Sequence, residues 1–357
     1  MNILYLINHA GAGGSEKYVA VLHQAVVSRG DKAFLAYSEG GALSDLIPGA
    51  RQLRMRHPFD LRAAKQLAGL CRELKIDIIH AQFPRENYIA LLCKLLYLHS
   101  IEVVYTAHIN LQIGRIHKLI NWVLTSGNAS IIAVCNSVKS LLITNKYPPE
   151  RIRVIFNGVY PEPRATVAKE PRFTFVTLAR LSSEKGMFFL LKAAKRLKDS
   201  GVDFQLNIAG EGPLRNQLQD EIILSGLSKH VFLLGYVTDI KSLLDASQVY
   251  INTSEHEALS FAILEGMAAG LPVIATRVGG NVDILGAADN GLLVDYQNVN
   301  QLAAAMATLM RDRTAYDRYS HNSREAIATT FNLANIIEQT YQVYLDAASQ
   351  AKKRSKR

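Results

Sequence analysis

The chain has 357 residues, of which 49% are hydrophobic and 20% charged, which excludes a disordered polymer and leaves room for two domains with separate cores. Its net charge of +9 is unevenly spread: residues 1–165 hold 19 Lys and Arg against 11 Asp and Glu, residues 166–351 hold 16 against 20, and the tail KKRSKR adds five basic side chains. No basic helix interleaved with aromatics and no RNA-binding signature accompanies the basic half, so nucleic acid is not expected as a partner; a solvated surface, or one facing anionic lipid or an acidic acceptor, fits the asymmetry better.

In chain order, NILYLIN (2–8) reads as a first strand and runs into the glycine-rich HAGAGGSEKY (9–18). A glycine-rich turn between a first strand and a first helix points to a phosphate ligand. It is a poor dinucleotide fingerprint: counted from Gly11 the sixth position is Glu16 rather than a small residue, and the next acid near a second strand end, Glu39, comes late. Further strands are expected at KAFLAY, IDIIHAQ, EVVYTAH, SIIAVCN and RIRVIFN, with amphipathic helices near 15–29, 60–75, 86–99, 115–126 and 137–146. Apolar strands separated by helices are what a parallel sheet covered on both faces requires. The proline-bearing NGVYPEPRATVAKEPR then reads as a linker, about 161–171, after a first domain at 1–160.

The alternation restarts with FTFVTLAR, FQLNIAG, VFLLGY, VYINTS, PVIATRV and GLLVDY, giving a second α/β domain at 172–334. The expected architecture is two Rossmann-like domains facing a cleft, with a last helix, about 335–350, packing back on the first and a basic tail at 352–357. The start of the chain shows no basic n-region or cleavage site, and no apolar run is long enough to span a bilayer. Cys71, Cys93 and Cys135 are odd in number, far apart and without C-x-x-C, as expected of buried thiols in a reducing cytoplasm.

The second domain carries the more telling residues. In SEHEALSFAILEGMAAGLPVIATRVGG, Glu257 and Glu265 are separated by seven residues. Ser260 is a plausible N-cap for a helix over 261–269 that Gly270 and Pro272 would end, so both carboxylates lie near one helix N-terminus, where free amides attract phosphate. Upstream, Arg180 and Lys185 in LARLSSEKG fall in the loop after a strand, where cations point toward an α/β ligand site. No D-x-D occurs, and no His, Cys and acid cluster has metal-ligand spacing, so no metal or other cofactor is expected.

Taken together, GAGGSEKY, YTAHIN, VIFNGV, LARLSSEKG, IAGEGPLRNQL, LGYV, SEHEALSFAILEGMAAGLPVIAT and VGGNVDIL resemble, in this order and spacing and over nearly the whole chain, the family-4 glycosyltransferases of GT-B fold. The resemblance implies a nucleotide-sugar donor, with UDP favoured over GDP-mannose, and transfer with retention at the anomeric carbon. It implies that Arg180 and Lys185 bind the donor diphosphate, Glu257 the sugar hydroxyls and Glu265 the ribose hydroxyls. Leu259 and Ser260 would offer amides to phosphate, Tyr236 and Val237 would line the base site, and Gly212 would lie in the donor-side loop. Gly13 and Gly14 would let the first domain close on the diphosphate or acceptor, and His108 would sit beside the transferred sugar. The family often has other residues at Ile109, Ala258 and Asp283, and no role is carried to these. The acceptor side is expected to present a basic amphipathic face from IGRIHKLINWVLTSG, with Arg115, His117, Lys118 and Trp122, and from RQLRMRHPFDLRAAK. Such a face suits a peripheral enzyme elongating a cell-surface polysaccharide or lipid-linked glycan at the inner membrane surface. A nucleotide-sugar epimerase on the same scaffold and a non-catalytic nucleotide-sugar-binding subunit are the alternatives, both disfavoured by the residue set above.

Overall fold

Strands that are apolar at nearly every position can only be buried on both faces, and here they form two parallel sheets. A computed structural model describes residues 1–11, 13–108, 114–163 and 172–355, without the side chains of Ile116 and of 352–355. Ile109, most of the expected linker (164–171) and the basic side chains of the tail therefore lie outside the described residues. The chain divides into two compact units, Met1–Asn157 with Ala334–Arg357, and Gly158–Leu333.

The first unit holds β1 (Asn2–His9), α1 (Gly14–Ser28), β2 (Lys32–Glu39), α2 (Ala42–Leu46), β3 (Arg51–Gln52), α3 (Leu61–Leu74), β4 (Ile78–Ala81), α4 (Pro84–Leu96), β5 (Glu102–Ala107), α5 (Arg115–Leu124), β6 (Ser130–Ala133), α6 (Asn136–Thr144) and β7 (Ile152–Val154). Its sheet runs β3-β2-β1-β4-β5-β6-β7, and its strand pairs are parallel. The order reverses between β1 and β4, which makes the loops after these two strands the expected ligand position. Asp60 caps α3, accepting from Ala63 N at 3.0 Å and Arg56 N at 3.2 Å.

The second unit holds β8 (Thr174–Leu178), α7 (Met187–Asp199), β9 (Gln205–Ala209), α8 (Arg215–Leu224), β10 (Val231–Gly235), α9 (Ile240–Ala246), β11 (Val249–Asn252), α10 (Phe261–Ala268), β12 (Val273–Thr276), α11 (Gly279–Ala288), β13 (Gly291–Val294), α12 (Val299–Arg311) and α13 (Arg313–Ala328). Its order, β10-β9-β8-β11-β12-β13, reverses between β8 and β11. The unit starts at Gly158, a little before the proline-rich composition suggests, because Val159 N donates to Phe331 O at 3.1 Å and Leu333 N returns to Val159 O at 3.0 Å.

The last helix, α14 (Leu333–Ser355), belongs from Ala334 onward to the first unit, and it is longer at both ends than its apolar spacing indicates. Tyr344 lies fully buried in that unit, its hydroxyl 2.7 Å from His80 Nδ1 and 3.3 Å from Tyr5 Oη. Arg153–Asp346 and Arg29–Glu338 ion pairs, both at 2.8 Å, tie the helix further. The three cysteines are buried free thiols. No described helix is long and apolar enough to cross a membrane.

Candidate active site

The carboxyl ends of β8 and β11, at the reversal of the second sheet, bring together residues that are 72 apart in sequence: Lys185 Nζ lies 2.7 Å from Glu257 Oε1. The same oxygen accepts from Ser254 Oγ at 2.7 Å and from Asn252 Nδ2 at 3.4 Å. Asn252 is itself fixed by Asn281 Nδ2, 3.1 Å from its Oδ1. The loop carrying Lys185 is pressed onto the loop after β11. Thr253 Oγ1 donates to Lys185 O at 2.9 Å and Glu255 N to Glu184 O at 2.8 Å. Gly186 makes this approach possible: its φ is +67°, and a Cβ there would stand 2.1 Å from Thr253 O. Side-chain exposures of 26% for Lys185 and 12% for Glu257 leave the cation as the more accessible end of the pair. Partial burial is what makes such a charge effective toward an anionic ligand.

Around this pair stand the other residues expected in the second domain. Ser260 caps α10, its Oγ 3.5 Å from Ile263 N, and both Leu259 and Ser260 are buried. The helix therefore starts where it was expected, and its first-turn amides lack intrahelical acceptors and form a positive end. Glu265 is half-buried on α10 one turn further in. Arg180 is exposed just past β8, and its positive charge helps hold Glu184 below the ordinary carboxylate range, behind the Ser182 hydroxyl as the main cause. Gly212 follows β9 with its ideal Cβ position 2.4 Å from Leu181 O, so a side chain there would push two strand-end loops apart. Tyr236 is 79% exposed just after β10, with Val237 half-buried beside it. Arg180, Lys185, Gly212, Tyr236, Val237, Glu257 and the start of α10 all fall beyond the carboxyl ends of four adjacent strands, β10-β9-β8-β11.

The first unit carries its own cluster beyond β1, β4 and β5. Gly13 is the N-cap of α1 and Gly14 its first residue; Gly13 has φ −80° and ψ −174°, an extended conformation open to any residue. Its value lies in the lack of a side chain over the helix end. Ala12 between β1 and that helix lies outside the described residues. His108, past β5, places Nε2 at 3.0 Å from Gln82 Oε1, while Gln82 Nε2 donates to His80 O at 3.2 Å. That chain makes the Gln82 oxygen the acceptor, so His108 carries its proton on Nε2 and leaves Nδ1 as an acceptor. Tyr18 and Phe83 flank the ring at centroid distances of 5.2 and 5.8 Å. Burial pushes the imidazole down to about 3, so it is neutral through the physiological range.

Sequence reasoning missed Gln82, Asn252 and Ser254, although Asn252 and Ser254 stand within NTSEHE beside Glu257. It also missed Glu86, in the first turn of α4, which is fully buried with neither carboxylate oxygen hydrogen-bonded among the described residues. Burial raises its carboxyl to about 7. The sign is that of a raised acid: Glu86 contributes stability that is fully present below its unfolded pKa near 4.5 and is lost as pH rises through about 7. Glu86→Gln is therefore expected to gain about 3 kcal/mol over the parent at pH 8 and little at pH 5, read from urea denaturation. An equal difference at both pH values would contradict the assignment. His80, pushed down to about 3 by complete burial, acts in the opposite direction, adding stability above its unfolded pKa near 6.5 that is lost as pH falls toward 3.

Known proteins share this fold. The family model for glycosyl transferases group 1 matches residues 161–326, and that for glycosyltransferase family 4 matches residues 12–163. A UDP-Gal:alpha-D-GlcNAc-diphosphoundecaprenol alpha-1,3-galactosyltransferase of Escherichia coli is 24% identical, with 80% of each chain covered. An N-acetyl-alpha-D-glucosaminyl L-malate synthase of Bacillus anthracis is 23% identical over 81% of this chain and 80% of that one. Among solved structures, Anabaena Alr3699/HepE in complex with UDP superimposes with a TM-score of 0.83 at 20% identity, covering 96% of this chain and 99% of the other. A glycosyltransferase from Rickettsia africae also gives 0.83, at 21% identity and over 96% and 97% of the two chains. With two doubly covered parallel sheets and family-model matches that together run from residue 12 to 326, the chain belongs to the family-4 glycosyltransferases of GT-B fold.

Proposed function

We propose that this glycosyltransferase is retaining and metal-independent, and that it moves a sugar from a UDP-sugar onto a growing cell-surface polysaccharide or lipid-linked glycan. The observation that carries the reading is the Lys185–Glu257 pair beside the Ser260-capped end of α10, a cation and a hydroxyl-reading carboxylate at the reversal of one sheet. Arg180, Lys185 and the amides at Leu259 and Ser260 hold the diphosphate. Glu257 reads the sugar hydroxyls and Glu265 the ribose. Tyr236 and Val237 take the base, and Gly212 keeps their loop close. Within the first unit, Gly13 and Gly14 leave the helix-end amides of α1 open to an anion, and neutral His108 offers Nδ1 to a hydroxyl. A UDP donor is supported by the UDP-Gal named for the Escherichia coli relative and the UDP bound to HepE. The acceptor class follows the diphosphoundecaprenol-linked acceptor of that relative. The enzyme would work in the cytoplasm, at the inner face of the cell membrane.

The bond from the anomeric carbon to the donor phosphate breaks as the acceptor oxygen bonds to that carbon on the same face. The acceptor proton passes to the departing phosphate oxygen. Negative charge grows on the leaving diphosphate, and prepositioned cations and amides stabilise it without reorganising. Glu257 is a poor nucleophile here because one carboxylate oxygen already takes three hydrogen bonds, from Lys185, Ser254 and Asn252. The test is a nucleotide-sugar screen with proton NMR of the anomeric signal in the product. Transfer from a UDP-sugar with the donor configuration kept, undiminished by EDTA, is expected; an inverted product or an absolute metal requirement would overturn the reading.

A further inference from the structure

Two of the three hydrogen bonds on Glu257 Oε1 come from uncharged side chains, Ser254 Oγ and Asn252 Nδ2, and both lead back to Asn281 in the first turn of α11. Asn281 Nδ2 lies 3.1 Å from Asn252 Oδ1, which also accepts from Ser254 N at 3.3 Å. The same nitrogen lies 3.1 Å from Thr276 O and 3.5 Å from Thr276 Oγ1, and that hydroxyl donates to Ser254 O at 2.6 Å. The amide orientation follows from these partners: turned over, Asn281 would set its oxygen against the oxygens of Asn252 and Thr276. With two N–H groups on its oxygen, Asn252 turns its Nδ2 to Glu257. Backbone packing keeps the parts together, since the ideal Cβ position of Gly280 is 2.0 Å from Ala258 O, next to Glu257.

Asn252, Ser254, Thr276 and Asn281 are all buried, Asn281 completely. Burying an amide is costly, and Asn281 Oδ1 has no hydrogen-bond partner among the described residues. Leucine would fill a similar space without that cost, so packing does not account for an asparagine here, whereas the bonds of its Nδ2 do. A carboxylate that reads hydroxyls discriminates only if its orientation is fixed. Lys185 fixes little by itself, because a flexible four-carbon stem holds its charge. Asn252 and Ser254, short and buried, are the rigid partners. We propose that Asn281 is a positioning residue for the donor sugar: by fixing Asn252 and Ser254 it holds Glu257 in the one orientation that meets the sugar hydroxyls. The inference rests on the role proposed for Glu257 and assigns Asn281 no contact with the donor.

Calorimetric titration of the full chain with UDP and with UDP-glucose, UDP-galactose and UDP-N-acetylglucosamine separates this role from a structural one, because UDP lacks the sugar that Glu257 meets. Asn281→Leu and Asn281→Ala should each weaken binding of the hexose nucleotide that the parent prefers by about tenfold, the weight of one hydrogen bond to a charged group. UDP, which meets Lys185 and the α10 amides, should stay within about twofold of the parent. In Glu257→Ala, adding Asn281→Leu should change the hexose affinity no further, since the carboxylate it positions is gone. Asn252→Ala removes the direct bond to Glu257, should repeat the loss, and decides the matter if the Asn281 variants fold poorly. The inference alone is overturned by unchanged hexose affinity in the variants, by a loss in Asn281→Ala that Asn281→Leu does not share, by an equal loss of UDP binding, or by a further loss on top of Glu257→Ala. A parent that binds neither UDP nor any of the three hexose nucleotides would instead remove the donor assignment, and this inference with it.

Discussion

Lys185→Ala is expected to lower kcat/KM for glycosyl transfer by about 10²–10³-fold, the usual effect of deleting one prepositioned donor to a developing oxyanion. The substitution removes the cation proposed to meet the leaving diphosphate. It also takes one of three hydrogen bonds from Glu257 Oε1, leaving Ser254 and Asn252 to hold that carboxylate. Glu257→Ala should cost a similar factor, and the double variant much less than the product of the two, because the residues act as a unit. Lys185→Arg should not fully restore the rate, because the planar guanidinium is not a compact point charge and would not meet Glu257 Oε1 in the same geometry. Near-parental turnover in Lys185→Ala would remove the pair from the chemistry.

Gly186→Ala is expected to cost about 10²-fold in kcat/KM, although residue 186 touches no substrate in the proposed arrangement. Its backbone is left-handed at φ +67°, and the new Cβ would lie 2.1 Å from Thr253 O, backbone that cannot yield cheaply. The loops after β8 and β11 would have to separate, and a shift of about 1 Å at a reacting site commonly has this effect. The strain should also destabilise the protein by about 1–3 kcal/mol. Gly286→Ala, in α11 with open space where its Cβ would go, is the control and should be neutral or slightly stabilising. Equal effects at the two positions would contradict the account of Gly186.

The strands were readable because sheets buried on both faces impose continuous Ile, Val and Leu runs, as in VYIN and VIAT, all of whose positions are buried. The two-residue strand β3 and the short helix α2 left no such trace, since elements of two and five residues have no period to detect. Ser260 and Gly270 marked the limits of α10 through cap chemistry that is local in sequence. The pairing of Lys185 with Glu257 is another kind of fact. Each residue was identifiable, but their contact is created by the order of β8 and β11 in the sheet. The first unit shows where pattern alone stops. The apolar stripe of α5 was visible, but periodicity does not say which side faces inward, and Asn121, bonded to Tyr88 and Asn145, turned that stripe outward. Burial of Glu86 and the Gln82–His108 contact likewise depend on tertiary packing that no short motif encodes.

The central claim is that the strand ends of the second unit hold a nucleoside diphosphate without a metal. Its most direct test is the melting temperature of the ligand-free protein against UDP, GDP, ADP, CMP and NAD, each with and without EDTA. A ligand at about 100 times its dissociation constant stabilises by ~2.7 kcal/mol, enough to move the transition visibly. The account predicts stabilisation by UDP that EDTA does not change and that Lys185→Ala abolishes. A response to NAD instead, or none to any diphosphate, would contradict it.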